Sequence, residues 1–212
     1  MANYTNIIPF IRKWEGGLSK NTSDTASANP VPDGSGFHTN KGITWATWQS
    51  VNGSSKDSID RFYKMSDSDW KTIYKKLFWD AIGGDKIKSQ RIADILVNWA
   101  WGSGVYRPSV TIQRILGVTA DGVIGKKTIE AINNANEVEL YNSLKDANIK
   151  FFKDLGAQPK YADFLQGWLN RFDDLYTNLT KEIKEKKNSI GIGILLVVLA
   201  VVIYLIITKE KK

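Results

Sequence analysis

Apolar residues recur at spacings of three and four along most of the chain, and that rhythm predicts helices. Ile7, Ile8, Phe10, Ile11 and Trp14 form the first such stripe, over residues 5–15, and Gly16-Gly17 ends it. Residues 18–41 then turn polar and rich in Ser, Asn, Gly and Pro. That stretch reads as a long loop with room for a small hairpin, and long loops in compact domains are often functional. A second helix is expected near Thr44, carrying Trp45 and Trp48. Ser66-Asp67-Ser68-Asp69 supplies an N-terminal cap for a third, through Leu77. Further helices are expected over residues 88–101, over 108–116 between Pro108 and the stop at Gly117, over 126–135, and over 138–155 before Gly156. From Ala162 onward, Leu165, Trp168, Leu169, Phe172, Leu175, Tyr176, Leu179 and Ile183 make one more stripe. No alternating run exceeds a few residues, so the fold class is mainly α.

The pattern changes character near the C-terminus. Ile190 to Ile207 is an unbroken apolar run of 18 residues without a charge. As a helix it would be roughly 27 Å long, close to the ~30 Å hydrocarbon core of a bilayer. Lys184, Lys186 and Lys187 precede it, and Lys209, Lys211 and Lys212 come after. The expectation is a single-pass membrane helix over 190–207, with a charged linker (181–189) before it and a basic tail (208–212) after it. Cell-membrane localisation would result, with the orientation left open by the nearly even flanking charge. A core helix of a small domain would show polar positions, which this run lacks.

Charge sharpens the picture only after it is divided. The net charge is +7, but the segment from Lys181 to Lys212 holds seven Lys and three Glu. The remaining body is only mildly basic, which suits an anionic polymer better than nucleic acid. No cysteine is present and His38 is the single histidine. Disulfides, thiolate metal sites and multi-histidine metal sites are thereby excluded. No metal and no cofactor is expected, and the chain is read as a monomer.

The chemistry points to carboxylates. Glu15 falls at the end of the first amphipathic helix, in Trp14-Glu15-Gly16-Gly17, at the negative end of the helix dipole and beside an indole. A carboxyl placed there is a candidate proton donor for glycosidic cleavage, with a solvated helix-end Glu as the bland alternative.

These residues carry a family resemblance. The run Glu15-Gly16-Gly17, then Asp24 nine residues after the Glu, then Thr39-Asn40-Lys41-Gly42-Ile43-Thr44 resembles the endolysin-like muramidases of glycoside hydrolase family 108. Leu77-Phe78-Trp79-Asp80 is similar to the family's Tyr-Trp-Asp element. Asn98, Gln113-Arg114-Ile115-Leu116-Gly117, Asp121-Gly122 with Gly125 and Thr128, and Gly167-Trp168-Leu169-Asn170-Arg171 resemble the helical peptidoglycan-binding region that comes after it. The resemblance implies a phage- or prophage-type lysozyme fold with a helical second part. It implies hydrolysis of the β-1,4 bond between N-acetylmuramic acid and N-acetylglucosamine. Glu15 would be the acid, an Asp carboxylate its partner, and Thr39 a positioning hydroxyl.

Residues 25–38 depart from the family's short link, and the second carboxylate is accordingly open. Asp24 is preferred for its spacing from Glu15, and Asp33 is the alternative for its spacing before Thr39. Either Asp could equally close an Asx-turn. His38, Asn98 and Trp79 are candidates for substrate binding. Trp45, Trp48, Trp99 and Trp101 are aromatic faces that serve either a sugar or the core. Asn98 lines a cleft or satisfies a buried backbone group. Asp121-Gly122-Val123-Ile124-Gly125 reads as a tight turn, with too few carboxylates for calcium.

The expected organisation is a lysozyme-like catalytic region over 1–90, a helical peptidoglycan-binding region over 91–180, and the anchor beyond. The expected partners are peptidoglycan and, through residues 190–207, a lipid bilayer, with no nucleic acid. Two rival readings stand beside the muramidase: a lytic transglycosylase using Glu15 alone, and a non-catalytic wall-binding membrane protein.

Overall fold

The computed structural model describes residues 1–20 and 30–179. It divides into two compact units, Met1–Asp154 and Leu155–Lys212. The first unit opens with α1 (Tyr4–Trp14), then a small antiparallel sheet of β1 (Leu18–Ser19), β2 (Thr39–Asn40) and β3 (Ile43–Thr44) in that spatial order. Thereafter it is helical: α2 (Trp45–Asn52), α3 (Lys56–Tyr63), α4 (Asp67–Tyr74), a π-helical turn (Lys75–Trp79), α5 (Gln90–Ser103), α6 (Tyr106–Ile115), α7 (Lys126–Asn134) and α8 (Glu137–Gly156). The described part of the second unit holds a 3-10 turn at Pro159–Tyr161 and a helix, α9, over 162–179.

The helices begin where short polar side chains can take up orphan amides. Asn3 accepts from the Thr5 amide, Thr44 from Thr47, Ser55 from Ser58 and Ser89 from Ile92. Ser66 and Asp69 form a reciprocal capping box at α4. Each such cap contributes roughly 1 kcal/mol. Helix α3 is an addition to the expected set. Its sequence, KDSIDRFY, is polar overall and short, with Ile59, Phe62 and Tyr63 as its only apolar positions, and only Ser58 and Phe62 are buried. Its signal is the Ser55 cap together with that short stripe.

The core is built largely from indoles. Trp45, Trp48, Trp70, Trp79 and Trp99 are fully buried with Phe62 and Tyr74. Trp48 Nε1 donates to Ser58 Oγ at 2.9 Å, tying α2 to α3. Helix α5 is the central strut: every residue from Ile92 to Ala100 is buried. A helix covered on all sides is one that other elements pack around.

The expected membrane helix requires correction. Among the described residues no helix is long and apolar enough to cross a membrane. The run at 190–207, on which that expectation rested, lies outside the described residues. Among the described residues the fold is mainly α and lysozyme-like, and none of their helices carries the membrane localisation expected from the 190–207 run.

Candidate active site

The polar loop after α1 returns as a tight hairpin, and the turn of that hairpin covers the end of α1. Thr39 pairs with Thr44 and Asn40 with Ile43, leaving Lys41-Gly42 as a two-residue turn. Both turn residues have positive φ, 49° at Lys41 and 77° at Gly42. That sign at both positions marks the type I′ turn, whose twist matches the flanking strands. The turn is fastened on three sides. The Lys41 amide donates to the Gly17 carbonyl at 3.3 Å, Lys41 Nζ donates to the Met65 carbonyl at 2.6 Å, and Trp70 Nε1 donates to the Lys41 carbonyl at 2.9 Å.

Glu15 lies under this turn. It caps α1 at its C-terminal end with extended backbone angles, and its side chain is half-buried. Trp101 Nε1 on α5 donates to Glu15 Oε1 at 2.6 Å. A Cβ placed on Gly42 would lie 2.2 Å from Glu15 Oε2 and 2.7 Å from Trp101 Cζ2. Gly42 is thus required twice, for its backbone angle and for the space its missing side chain leaves to the carboxyl.

The Trp101 ring is itself fixed by aromatic packing. Its centroid is 5.5 Å from Trp70, 5.4 Å from Tyr74 and 4.8 Å from Phe78. Arg12 sits 4.1 Å above Trp70, in the same cluster. The π-helical turn contributes directly: the Asp80 amide bonds to the Lys75 carbonyl, five residues back, and this wide turn carries Phe78 against Trp101 while Trp79 enters the core. Single π turns inside helices are frequent beside functional groups. The sequence marks Trp101 only as one of several aromatic faces; nothing in it pairs this indole with a glutamate 86 positions earlier.

The other candidates fall in different places. Asp24 lies outside the described residues. Asp33 is exposed and tied within its own neighbourhood. Its Oδ1 accepts from the Ser35 amide at 2.9 Å and from the Ser35 hydroxyl, and its Oδ2 accepts from Tyr63 at 2.7 Å. The Ser35 hydroxyl, the Ser35 amide and Tyr63 together hold the Asp33 carboxyl below its ordinary range, against the opposing effect of partial desolvation. Burial in turn pushes the Tyr63 phenol up, and Asp33 beside it adds to that. His38 is buried, with Nε2 3.0 Å from Ser35 Oγ, so it belongs to the same network. Thr39 is half-exposed on β2, next to the turn.

Asn98 and Trp79 are interior residues, 2% and 0% exposed. Trp79 donates to Asp85 Oδ1 at 2.7 Å, and Gly84 lies so close that a Cβ there would meet its ring at 2.2 Å. As placed, neither offers a face to a sugar. The structure therefore gathers Glu15, Thr39 and the Lys41-Gly42 turn on one small sheet and helix end, and it groups Asp33 with His38 through Ser35.

Comparison with known proteins matches this layout. The family described as Glycosyl hydrolase 108 matches residues 8–104, and the one described as Predicted Peptidoglycan domain matches residues 107–173. The junction falls between α5 and α6, so the first match includes Trp101. No curated protein matches. Among solved structures, SagA of Brucella abortus is similar at 26% identity and a TM-score of 0.64, over 82% of this chain and 91% of that one. With these two regions matched in this order, the chain belongs to the glycosyl hydrolase 108 family and is a peptidoglycan hydrolase.

Proposed function

We propose that the chain is an N-acetylmuramidase. It hydrolyses the β-1,4 bond between N-acetylmuramic acid and N-acetylglucosamine, with Glu15 as the general acid. The observation that carries this reading is the grip on Glu15: one oxygen held by an indole N–H, the other turned toward the backbone of a glycine turn. An indole nitrogen can only donate. Oε1 is therefore committed as an acceptor, so a proton passed to the substrate would leave from Oε2. A fixed donor atom is what protonation of a leaving glycosidic oxygen requires.

The second carboxylate would stabilise an oxocarbenium-like transition state or activate water. Asp24 remains the preferred residue for this, because both oxygens of Asp33 are engaged by Ser35 and Tyr63. Thr39 would orient the water or the carboxylate. His38 contributes by shaping the 31–38 loop through Ser35.

The test is a turbidity assay on purified peptidoglycan with the wild-type chain and its Glu15→Gln, Asp24→Asn and Asp33→Asn variants, completed by analysis of product ends. Reducing N-acetylmuramic acid ends, lost with Glu15→Gln and with Asp24→Asn, support the reading. Anhydro ends, with both Asp variants active, would make the chain a lytic transglycosylase instead.

A further inference from the structure

Helix α5 also reaches a second concave surface, lined mostly by residues of the region matched as a peptidoglycan domain. Trp99, two residues before Trp101, is buried beside Phe151 of α8, their ring centroids 5.7 Å apart. Above them a groove of about 470 Å³ opens between α6 and α8, lined among others by Tyr106, Arg107, Val110, Arg114, Lys150 and Phe151.

Its chemistry is uneven in an informative way. Arg107 and Arg114 are both exposed, and among the described residues neither forms an ion pair. Lys150 is paired with Asp154 at 2.5 Å, which leaves the groove with an excess of positive charge. The Arg107 guanidinium stands 5.9 Å from the Phe151 ring, over an aromatic floor. The two arginines are seven residues apart on α6, so they share a face and lie about 10 Å apart along the helix axis.

Tyr106 adds a fixed apolar face. It is 60% exposed, yet its ring rests against Gly122, where a Cβ would lie 2.4 Å from Tyr106 Cδ2. The Gly122 turn is itself pinned by the buried Gln113, which accepts from the Gly122 amide at 2.8 Å and donates to Asp121 Oδ1 at 2.7 Å. An exposed ring held on a rigid shelf loses little entropy when something stacks on it.

We propose that this groove is a wall-binding site that takes the carboxylates of the peptidoglycan stem peptide, with Tyr106 packing against its backbone. The proposal rests on the peptidoglycan reading above. The glycan strand offers little charge once its lactyl groups are amide-linked, so paired cations must address the peptide. An extended peptide rises about 3.3 Å per residue, so carboxylates some three residues apart would span the arginine pair. Guanidinium groups bind carboxylates in bidentate fashion, which suits two otherwise unpaired arginines.

The experiment uses the full chain carrying Glu15→Gln, so that the wall is bound without being cut, and measures co-sedimentation with purified sacculi. Adding Arg107→Glu and Arg114→Glu is expected to weaken retention by about tenfold or more, as for two charge-assisted contacts. Arg107→Lys with Arg114→Lys, which keeps the charge but loses the bidentate fork, is expected to restore only part of it. Free stem peptide should displace the Glu15→Gln chain, and the same peptide with its carboxyls amidated should not. Equal melting temperatures and circular dichroism confirm that the variants fold. Retention unchanged by the charge reversal overturns the proposal, and so does equal displacement by the amidated peptide. If a chain with intact Glu15 still cleaves sacculi in either case, the enzyme reading survives and only the groove assignment fails. If the chain neither binds nor cleaves sacculi, both fall.

Discussion

Trp101 and Trp99 stand two residues apart on α5, yet they serve regions of opposite construction. Trp101 belongs to a cluster of tilted, closely packed rings in which a carboxyl accepts from its indole N–H and is roofed by a glycine turn. Trp99 underlies an open groove whose working groups are exposed arginines on one helix face. The first arrangement fixes one atom, as bond cleavage demands. The second spreads charge over a surface, as adhesion to an irregular polymer demands. The difference teaches that catalysis and retention should separate under mutation.

The largest expected effect is that of Glu15→Gln. General acid catalysis contributes roughly 10²- to 10⁴-fold, and hydrolysis of purified wall should fall within that range while sedimentation with sacculi stays unchanged. Loss of both together would break the comparison. Gly42→Ala comes next. An L-residue at that backbone angle costs about 1–2 kcal/mol, and the added methyl would displace the Glu15 carboxyl. Activity should drop at least about tenfold, with a lowered melting temperature and unchanged wall retention.

Trp101→Phe should act more mildly. It keeps an aromatic ring against Trp70, Tyr74 and Phe78 but removes the donor to Glu15. A lost hydrogen bond to a carboxyl is about 1.5–3 kcal/mol at most, so kcat should fall about tenfold or somewhat more while KM barely moves, and the alkaline limb of the pH profile, where a general acid loses its proton, should shift. An unchanged pH profile would show that the indole merely fills space. The smallest effect concerns the 31–38 loop. Because Asp33 is held below its ordinary range in the fold, its ionised form favours the folded loop above the unfolded carboxylate pKa, and that contribution is lost as pH falls through the lowered value. Amide exchange at Ser35 should therefore be protected near neutrality and lose that protection below about pH 4. Asp33→Asn should abolish this pH dependence without touching the groove.

Much of this architecture is legible in the sequence, and the gaps have physical causes. The existence of α1, α4 and α5 is legible in their stripes, with ends displaced by one to three residues, and Glu15 stands out because a helix terminus and an indole flank it. A small hairpin is expected somewhere in the loop after α1, but its place at Thr39 to Thr44 and the left-handed backbone at Lys41 are not legible, since a lysine rarely adopts that conformation. Helix α3 escapes because it is only eight residues long and polar overall, so its short stripe of Ile59, Phe62 and Tyr63 does not stand out. Trp101 cannot be singled out among several tryptophans, because its partner lies 86 residues away and only folding brings them together. Trp79, expected to meet substrate, instead completes the core against Gly84 and Asp85.

The π-helical turn at Lys75–Trp79 sets a length rule as well as a sequence rule. It holds one more residue than an α-helical path would, so deleting one residue there would let the turn relax to ordinary helix. Phe78 and Trp79 could then no longer both keep their places, one against Trp101 and the other in the core. Related chains that keep this geometry are accordingly expected to keep the aromatic positions 70, 74, 78 and 79 and also the number of residues between Asp67 and Asp80.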